Sequence, residues 1–411
     1  MKRQLPLAGV RVCDLTWVIS GPQATRLLAD LGAEVIKVEG RDRGDQVRRM
    51  TFNPRVFASR GMFFYFNRNK LDVTLDLASP EGRAKFAELV TISDVVIENF
   101  SAHVMKRWGF DYQGLAAINP AIVYVSMPGF GHSGPYEEYR SNGPTVQALS
   151  GQTFACGMSG LPSAGWGFSY MDHTAGHYGA MAVLEALYYR NRTGQGQFVD
   201  LAQFETACSL LGTYILDFTV NGRSLRRPGM PAGNRSTHPA AAPHGVYRCA
   251  GEDRWIAIAV FSDEEWARFR AAIGDPVWAT DQRYATIDGR LNHQQELDGQ
   301  VEGWTSERSG EAVMRLLQSA GVAAGIVQDP AQRAEEDPQL RDRRHIVELK
   351  MNEGGSERTV RVDSLPMTVA ALPHEAYRPA PELGEHNLYV YGSLLGMSES
   401  EIAANRDRGI F

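Results

Sequence analysis

Between residues 10 and 126, short apolar runs alternate with amphipathic segments, and this rhythm leaves few folds open. Residues 10–15 read as a strand. Pro22 suits the first turn of a helix running to Leu31, and residues 34–38 read as a second strand after the Gly32 stop. After an irregular, arginine-bearing segment at 41–60, the alternation resumes. A strand is expected at 73–77, a helix from Pro80 behind the cap Ser79, a strand at 94–98, a further helix, and a strand at 122–126. Strands and helices taken in this order predict an α/β fold with a parallel sheet covered on both faces, whose ligands bind at the carboxyl ends of the strands. The first turn, Trp17-Val18-Ile19-Ser20-Gly21-Pro22, lacks the glycine spacing of a dinucleotide site, which removes the main support for NAD or FAD.

At 411 residues the chain exceeds one ordinary core, so about two domains are expected. Residues 1–220 form the N-terminal part of a large domain, and 221–243, rich in Pro, Gly, Arg and Ala, form a linker. A smaller α+β domain spans 244–329. It contains a hairpin of 245–248 with 255–260, helices near 264–273, 293–304 and 311–319, and a strand at 322–327. Residues 330–411 form a second linker and a return to the large domain, and the apolar segment 199–219 reads as a buried helix. A net charge of −6, with basic residues dispersed, excludes a nucleic-acid footprint. No run of ~20 apolar residues suits a bilayer, so no membrane partner and a cytoplasmic location are expected. Cys13, Cys156, Cys208 and Cys249 are scattered without CxxC spacing and read as reduced thiols rather than zinc ligands or disulfides.

One stretch, 166–176, sets a lone carboxylate, Asp172, among apolar, small and aromatic residues ahead of a helical segment at 178–190. Asp is a preferred N-cap, and Asp172 before an apolar run starting at Thr174 fits that role. The same placement holds an ionised carboxylate at a helix N-terminus, as a carboxylate nucleophile requires. His173 and His177 stand four apart, but without the Glu of HExxH or a third ligand nearby, and no metal is expected. Trp166, Phe168 and Tyr170 alternate either as core aromatics or as the lining of a pocket for an aryl acid.

The segments Leu7-Ala8-Gly9-Val10-Arg11-Val12, Gly21-Pro22, Leu28-Ala29-Asp30-Leu31-Gly32-Ala33-Glu34-Val35-Ile36-Lys37-Val38-Glu39, Asn69-Lys70, Glu98-Asn99-Phe100, Arg192-Thr193-Gly194-Gln195-Gly196-Gln197 and Leu383-Gly384-Glu385-His386 resemble the class III (CaiB/BaiF) coenzyme A transferases. The resemblance spans the chain. It implies a Rossmann-like large domain, a small inserted domain, and ring-shaped subunits interlocked as a dimer, with a homodimer or a heterodimer of related subunits both open. It implies no tightly bound cofactor, with an acyl-CoA thioester and a small carboxylic acid as substrates. Asp172 matches the nucleophile that forms an acyl-aspartyl mixed anhydride. Contacts to CoA fall on Val18, Ser20, Leu75, Asn99, Phe100 and Arg107, while Arg140 matches a loop lysine loosely and Gly40 stands where some relatives carry a basic residue. The region 229–235 differs from the glycine-rich flap of formyl-CoA transferase, which points toward the branch that accepts aromatic or dicarboxylic acids such as benzylsuccinate. A 2-methylacyl-CoA racemase is the alternative enzyme, but Asn142 falls where its histidine base would be, and an amide relays no proton. A CoA-binding subunit without turnover is the non-enzymatic alternative, and retention of Asp172 argues against it.

Overall fold

The computed structural model describes residues 5–49, 61–165, 167–353, 356–367 and 377–411. Trp166 and parts of the 41–60 and 330–379 segments lie outside the described residues. The chain divides into two compact units. The first comprises Met1–Thr153, Gly165–Asn221 and Gln339–Phe411, and the second comprises Phe154–Ala164 and Gly222–Pro338. Residues 154–164 were expected in the large domain, but they group with the second unit. There the Arg226 guanidinium donates to the carbonyls of Phe154, Cys156 and Leu161 at 3.0, 2.8 and 2.8 Å.

The first unit is built on six parallel strands: β1 (Arg11–Asp14), β2 (Glu34–Glu39), β3 (Leu71–Thr74), β4 (Val95–Glu98), β5 (Val123–Ser126) and β6 (Gln197–Asp200). Their order is β3-β2-β1-β4-β5-β6, so the connections run outward in opposite directions from the β1/β4 pair. Successive side chains alternate between faces, and both faces are apolar. Cys13, Ile36, Val38, Val73 and Val96 pack one core, and Val12, Val35, Val95, Ile97 and Val125 pack the other.

Five helices of this unit bear on the site: α1 (Ser20–Asp30), α2 (Gly143–Leu149), α3 (Tyr170–Thr193), α4 (Gln203–Ser209) and α5 (Gly212–Asn221). The long helix α3 packs on α1 at close range. A Cβ on Gly176 would lie 2.5 Å from Gln23 Cγ and 2.8 Å from the Ser20 carbonyl oxygen, so only glycine permits the approach. The apolar run 199–219 is not a buried helix. It opens as the edge strand β6 and continues as α4 and α5, and α5 buries none of its residues, with Leu216, Phe218 and Val220 61, 64 and 75% exposed.

The C-terminal return is held by buried polar contacts. Asp72 on β3 accepts the Gly384 amide at 2.6 Å and the Arg48 guanidinium at 2.8 Å, and the Asp72 amide donates to His386 Nδ1 at 3.2 Å. The Leu383–His386 motif thus docks on the strand that follows the Asn69-Lys70 motif. Ser398 caps the last helix, Glu399–Asp407, in a reciprocal capping box with Glu401.

The second unit carries an antiparallel three-stranded sheet. Trp255–Ala259 pairs with His244–Arg248 on one side and with Ala323–Ile326 on the other. Helices Asp263–Ala272, Gln294–Thr305 and Gly310–Ser319 supply Trp266, Phe269, Leu297, Val301, Val313 and Leu317 to its core.

Candidate functional site

In an open parallel sheet, the space outside the carboxyl ends of the strands at the reversal of strand order is the natural ligand crevice. Here that point lies between β1 and β4, and the loops leaving these two strands are tied together. The Asn99 carboxamide accepts the Trp17 amide at 2.7 Å and donates to the Trp17 carbonyl at 2.9 Å and to Ser20 Oγ at 3.2 Å. Phe100 sets its ring edge-on to Trp17 and to Trp108, at 5.3 and 5.8 Å. Four of the expected contact residues, Val18, Ser20, Asn99 and Phe100, are therefore brought together.

Val18 adopts φ 69°, a left-handed conformation that a β-branched side chain resists. A polar support holds it there. The Val18 amide donates to Asp45 Oδ1 at 3.1 Å, and Lys37 Nζ reaches Asp45 Oδ2 at 3.0 Å and the Thr16 carbonyl at 2.6 Å. Burial alone would lower the Lys37 ammonium, but the Asp45, Asp14 and Glu39 carboxylates outweigh it and hold the group above its usual value. Next to it, Lys70 bonds Asp14 at 3.0 Å and burial pushes its ammonium down to about 8. Burial would raise Asp14, but Lys70, Lys37 and Thr16 bring it below the ordinary carboxylate value. The Lys37 and Lys70 motifs thus act beneath the β1 loop, as buried struts.

The remaining expected contacts differ. Leu75, the residue after β3, is 1% exposed and packs in the core, and its amide donates to the Glu39 carbonyl. Apolar burial explains this position. Arg107 is exposed at the end of the short helix Val104–Arg107, one residue before Trp108, and Arg140 is exposed two residues before the cap of α2.

Asp172 is not the N-cap. Helix α3 starts at Tyr170 with Ser169 at the cap position, so Asp172 stands in the first turn, where a negative charge still interacts favourably with the helix dipole. Its carboxylate is gripped from two other helices. Gln203 Nε2, at the start of α4, donates to Asp172 Oδ1 at 2.7 Å. On the opposite side a Cβ on Gly143 would lie 2.7 Å from Asp172 Oδ2, so the first residue of α2 has room for a hydrogen atom and no more. Burial raises the Asp172 carboxyl above its ordinary value, and hydrogen bonds from Gln203 and Ser169 pull it back. Gly176, one turn further along the same face, touches the start of α1, which ties the Asp172 turn to the β1 loop.

Asn142 caps α2, accepting the Thr145 amide at 3.1 Å while Thr145 Oγ1 accepts the Asn142 amide at 2.9 Å. The two histidines after Asp172 serve locally. His173 stacks on Phe168 at 5.0 Å, and His177 Nδ1 bonds the His173 carbonyl oxygen at 2.7 Å. Neither Gln203 nor Gly143 was anticipated: a glutamine inside an apolar run and a glycine after an asparagine carry no signal of what they face. A cavity of about 1090 Å³ in the second unit, lined by Arg235, His244, Gln294, Asp298 and Glu302, contains none of the expected residues.

The model of CoA-transferase family III matches residues 7–387. The chain belongs to that family. It is 32% identical over 399 residues to a succinyl-CoA–D-citramalate CoA-transferase of Chloroflexus aurantiacus, covering 97% of this chain and 96% of the relative. It is also 32% identical over 401 residues to a succinate–glutarate CoA-transferase of Agrobacterium fabrum, covering 95% of this chain and 96% of the relative. A crystal structure of a CaiB/BaiF family protein from Brucella suis superposes with a TM-score of 0.83 at 30% identity, covering 95% of this chain and all of that one. The chain is a CoA-transferase, an enzyme that moves CoA from an acyl-CoA to a carboxylic acid. Among the described residues, no helix is long and apolar enough to cross a membrane.

Proposed function

We propose that Asp172 is the nucleophile of this CoA-transferase and that the crevice formed by Val18, Ser20, Asn99 and Phe100 receives CoA. The observation that carries the reading is a carboxylate in the first turn of α3, desolvated yet held at Oδ1 by Gln203, on the helix face that meets the β1 loop. Oδ2 attacks the donor thioester carbonyl. A C–O bond forms, the C–S bond breaks, and its electron pair leaves on the CoA sulfur, giving a mixed anhydride. The thiolate then attacks Asp172 Cγ and releases the donor acid, the acceptor carboxylate displaces the thiolate, and the thiolate attacks the acceptor acyl carbon. Each intermediate keeps the carbonyl activated, so ATP is not needed. Arg107 and Arg140 are available to CoA phosphates as exposed cations.

For the substrates, the names of the two relatives favour succinyl-CoA as donor and a small dicarboxylic acid as acceptor. An aryl acid has less support, since Phe168 stacks on His173 and both Phe168 and Tyr170 are exposed, at 59 and 41%, rather than walling a closed pocket. The exposed apolar helix α5 supports a second, related subunit as the element that covers it, in keeping with a dimer. A panel of acyl-CoA donors against free acids, read as new thioester by mass spectrometry, tests the reading. Transfer from succinyl-CoA to a dicarboxylate such as glutarate is expected. Turnover confined to aryl acids would contradict the assignment of the acceptor, and a monomer by light scattering would contradict the covering of α5.

A further inference from the structure

Gln203 is 6% exposed, and its position is fixed from both ends. Its amide donates to the Pro128 carbonyl at 3.1 Å in the loop after β5, its carbonyl accepts Thr206 Oγ1 at 2.7 Å, and its side chain spans from α4 to Asp172 Oδ1 at 2.7 Å. Gly143 crowds the other oxygen, Oδ2. The two carboxylate oxygens are thus inequivalent before any substrate arrives.

We infer that Gln203 is a positioning residue that decides which of the two anhydride carbonyls the CoA thiolate attacks. The inference rests on the aspartyl route proposed above. When Oδ2 forms the new bond, Oδ1 becomes the carbonyl oxygen of the aspartyl half of the anhydride, and the Gln203 N–H remains on it. A donor fixed on that oxygen stabilises the negative charge that develops when a nucleophile adds to Cγ. The thiolate therefore adds at Cγ: an S–Cγ bond forms, charge collects on Oδ1, and the Cγ–Oδ2 bond then breaks with its electron pair leaving on the donor carboxylate, which carries Oδ2 away. Without the donor, the thiolate returns to the acyl carbon and regenerates the starting thioester. Gln203 in this way commits the enzyme to forward transfer.

The two fates are read separately. Exchange of labelled free CoA into succinyl-CoA, in the absence of acceptor, needs formation of the anhydride, replacement of the expelled thiolate by labelled CoA, and reversal, but no attack at Cγ. Net transfer to glutarate needs attack at Cγ. Gln203→Leu is expected to lower net transfer ~100-fold, within the range for loss of one such donor, while exchange falls by less than ~10-fold. Gln203→Glu can donate only when protonated, so its ratio of transfer to exchange should rise as pH falls, a response that a purely structural role would not give. Equal losses of both activities in Gln203→Leu, or loss of neither, would overturn the inference while leaving Asp172 as the nucleophile. A wild-type enzyme that transfers CoA to glutarate yet yields no hydroxylamine-cleavable adduct on Asp172 would overturn the aspartyl route itself.

Discussion

Gly143→Ala should separate catalysis from folding at this site. The added Cβ would sit 2.7 Å from Asp172 Oδ2 and 3.4 Å from Ser169 Oγ, and the first of these distances is below any real contact. Asp172 has a short side chain, so its carboxylate can give way only by rotating, and rotation breaks the 2.7 Å bond from Gln203. A hydrogen bond to a charged group contributes about 1.5–3 kcal/mol, and displacing a reacting group by about 1 Å costs on the order of 10²-fold in rate. Stability changes far less than rate. Gly143 is the first residue of α2 and does not have a positive φ, so alanine there favours the folded chain by about 0.4–1 kcal/mol through the unfolded state, which offsets part of the lost hydrogen bond. Steady-state transfer from succinyl-CoA to glutarate, run beside thermal unfolding, should give kcat/KM lowered about 100-fold with Tm only slightly lowered. Activity within about threefold of wild type would refute the two-sided grip on Asp172.

Two further expectations follow from other parts of the first unit. Arg107→Ala should raise KM for acyl-CoA more than KM for the free acid, because it removes an exposed cation remote from the bond being made; equal effects on both substrates would remove Arg107 from the CoA site. Glu98 is buried and accepts from the Phe100 amide at 2.7 Å and the Tyr124 hydroxyl at 2.9 Å, and burial pushes its carboxyl up to about 7. With the folded-state value raised, its stabilising contribution is complete below the ordinary glutamate value and is lost as pH rises through about 7, a change of about 3 kcal/mol. Glu98→Gln cannot ionise, so its Tm should fall less than that of wild type between about pH 5 and pH 8, and parallel pH profiles would contradict this account.

The sheet was legible because its strands are buried on both faces and read as continuous apolar runs. Its edges were less so. β6 at Gln197–Asp200 alternates between half-buried and exposed residues, and its Val199 was absorbed into an apolar run read as helix. β3 was expected at 73–77 but spans Leu71–Thr74, because the apolar Leu75 and Leu77 continue into the core beyond the last paired residue. Asp172 stood out by its apolar company, and the Asn99-Phe100 pair by its place after a strand. The start of α3 at Tyr170 was missed, since an aspartate is favoured at the N-cap and elsewhere in the first turn, and sequence does not separate the two. The partners of Asp172 come from positions about 30 residues away on either side, and only the folded chain brings Gly143 and Gln203 onto the carboxylate. The exposure of α5 was also hidden, because an apolar helix left exposed on its own chain reads the same in sequence as one buried in its core.

The most direct test of the account is to incubate the enzyme with succinyl-CoA and no acceptor, quench, and map adducts by peptide mass spectrometry. The wild type should carry a succinyl or CoA adduct on Asp172 that hydroxylamine cleaves to a hydroxamate. Asp172→Asn keeps the shape and an oxygen for Gln203 to bond, so it should fold normally, carry no adduct and lose nearly all turnover. An Asp172→Asn enzyme with its amide verified intact that still transferred CoA at close to the wild-type rate would contradict the assignment of Asp172 as the nucleophile.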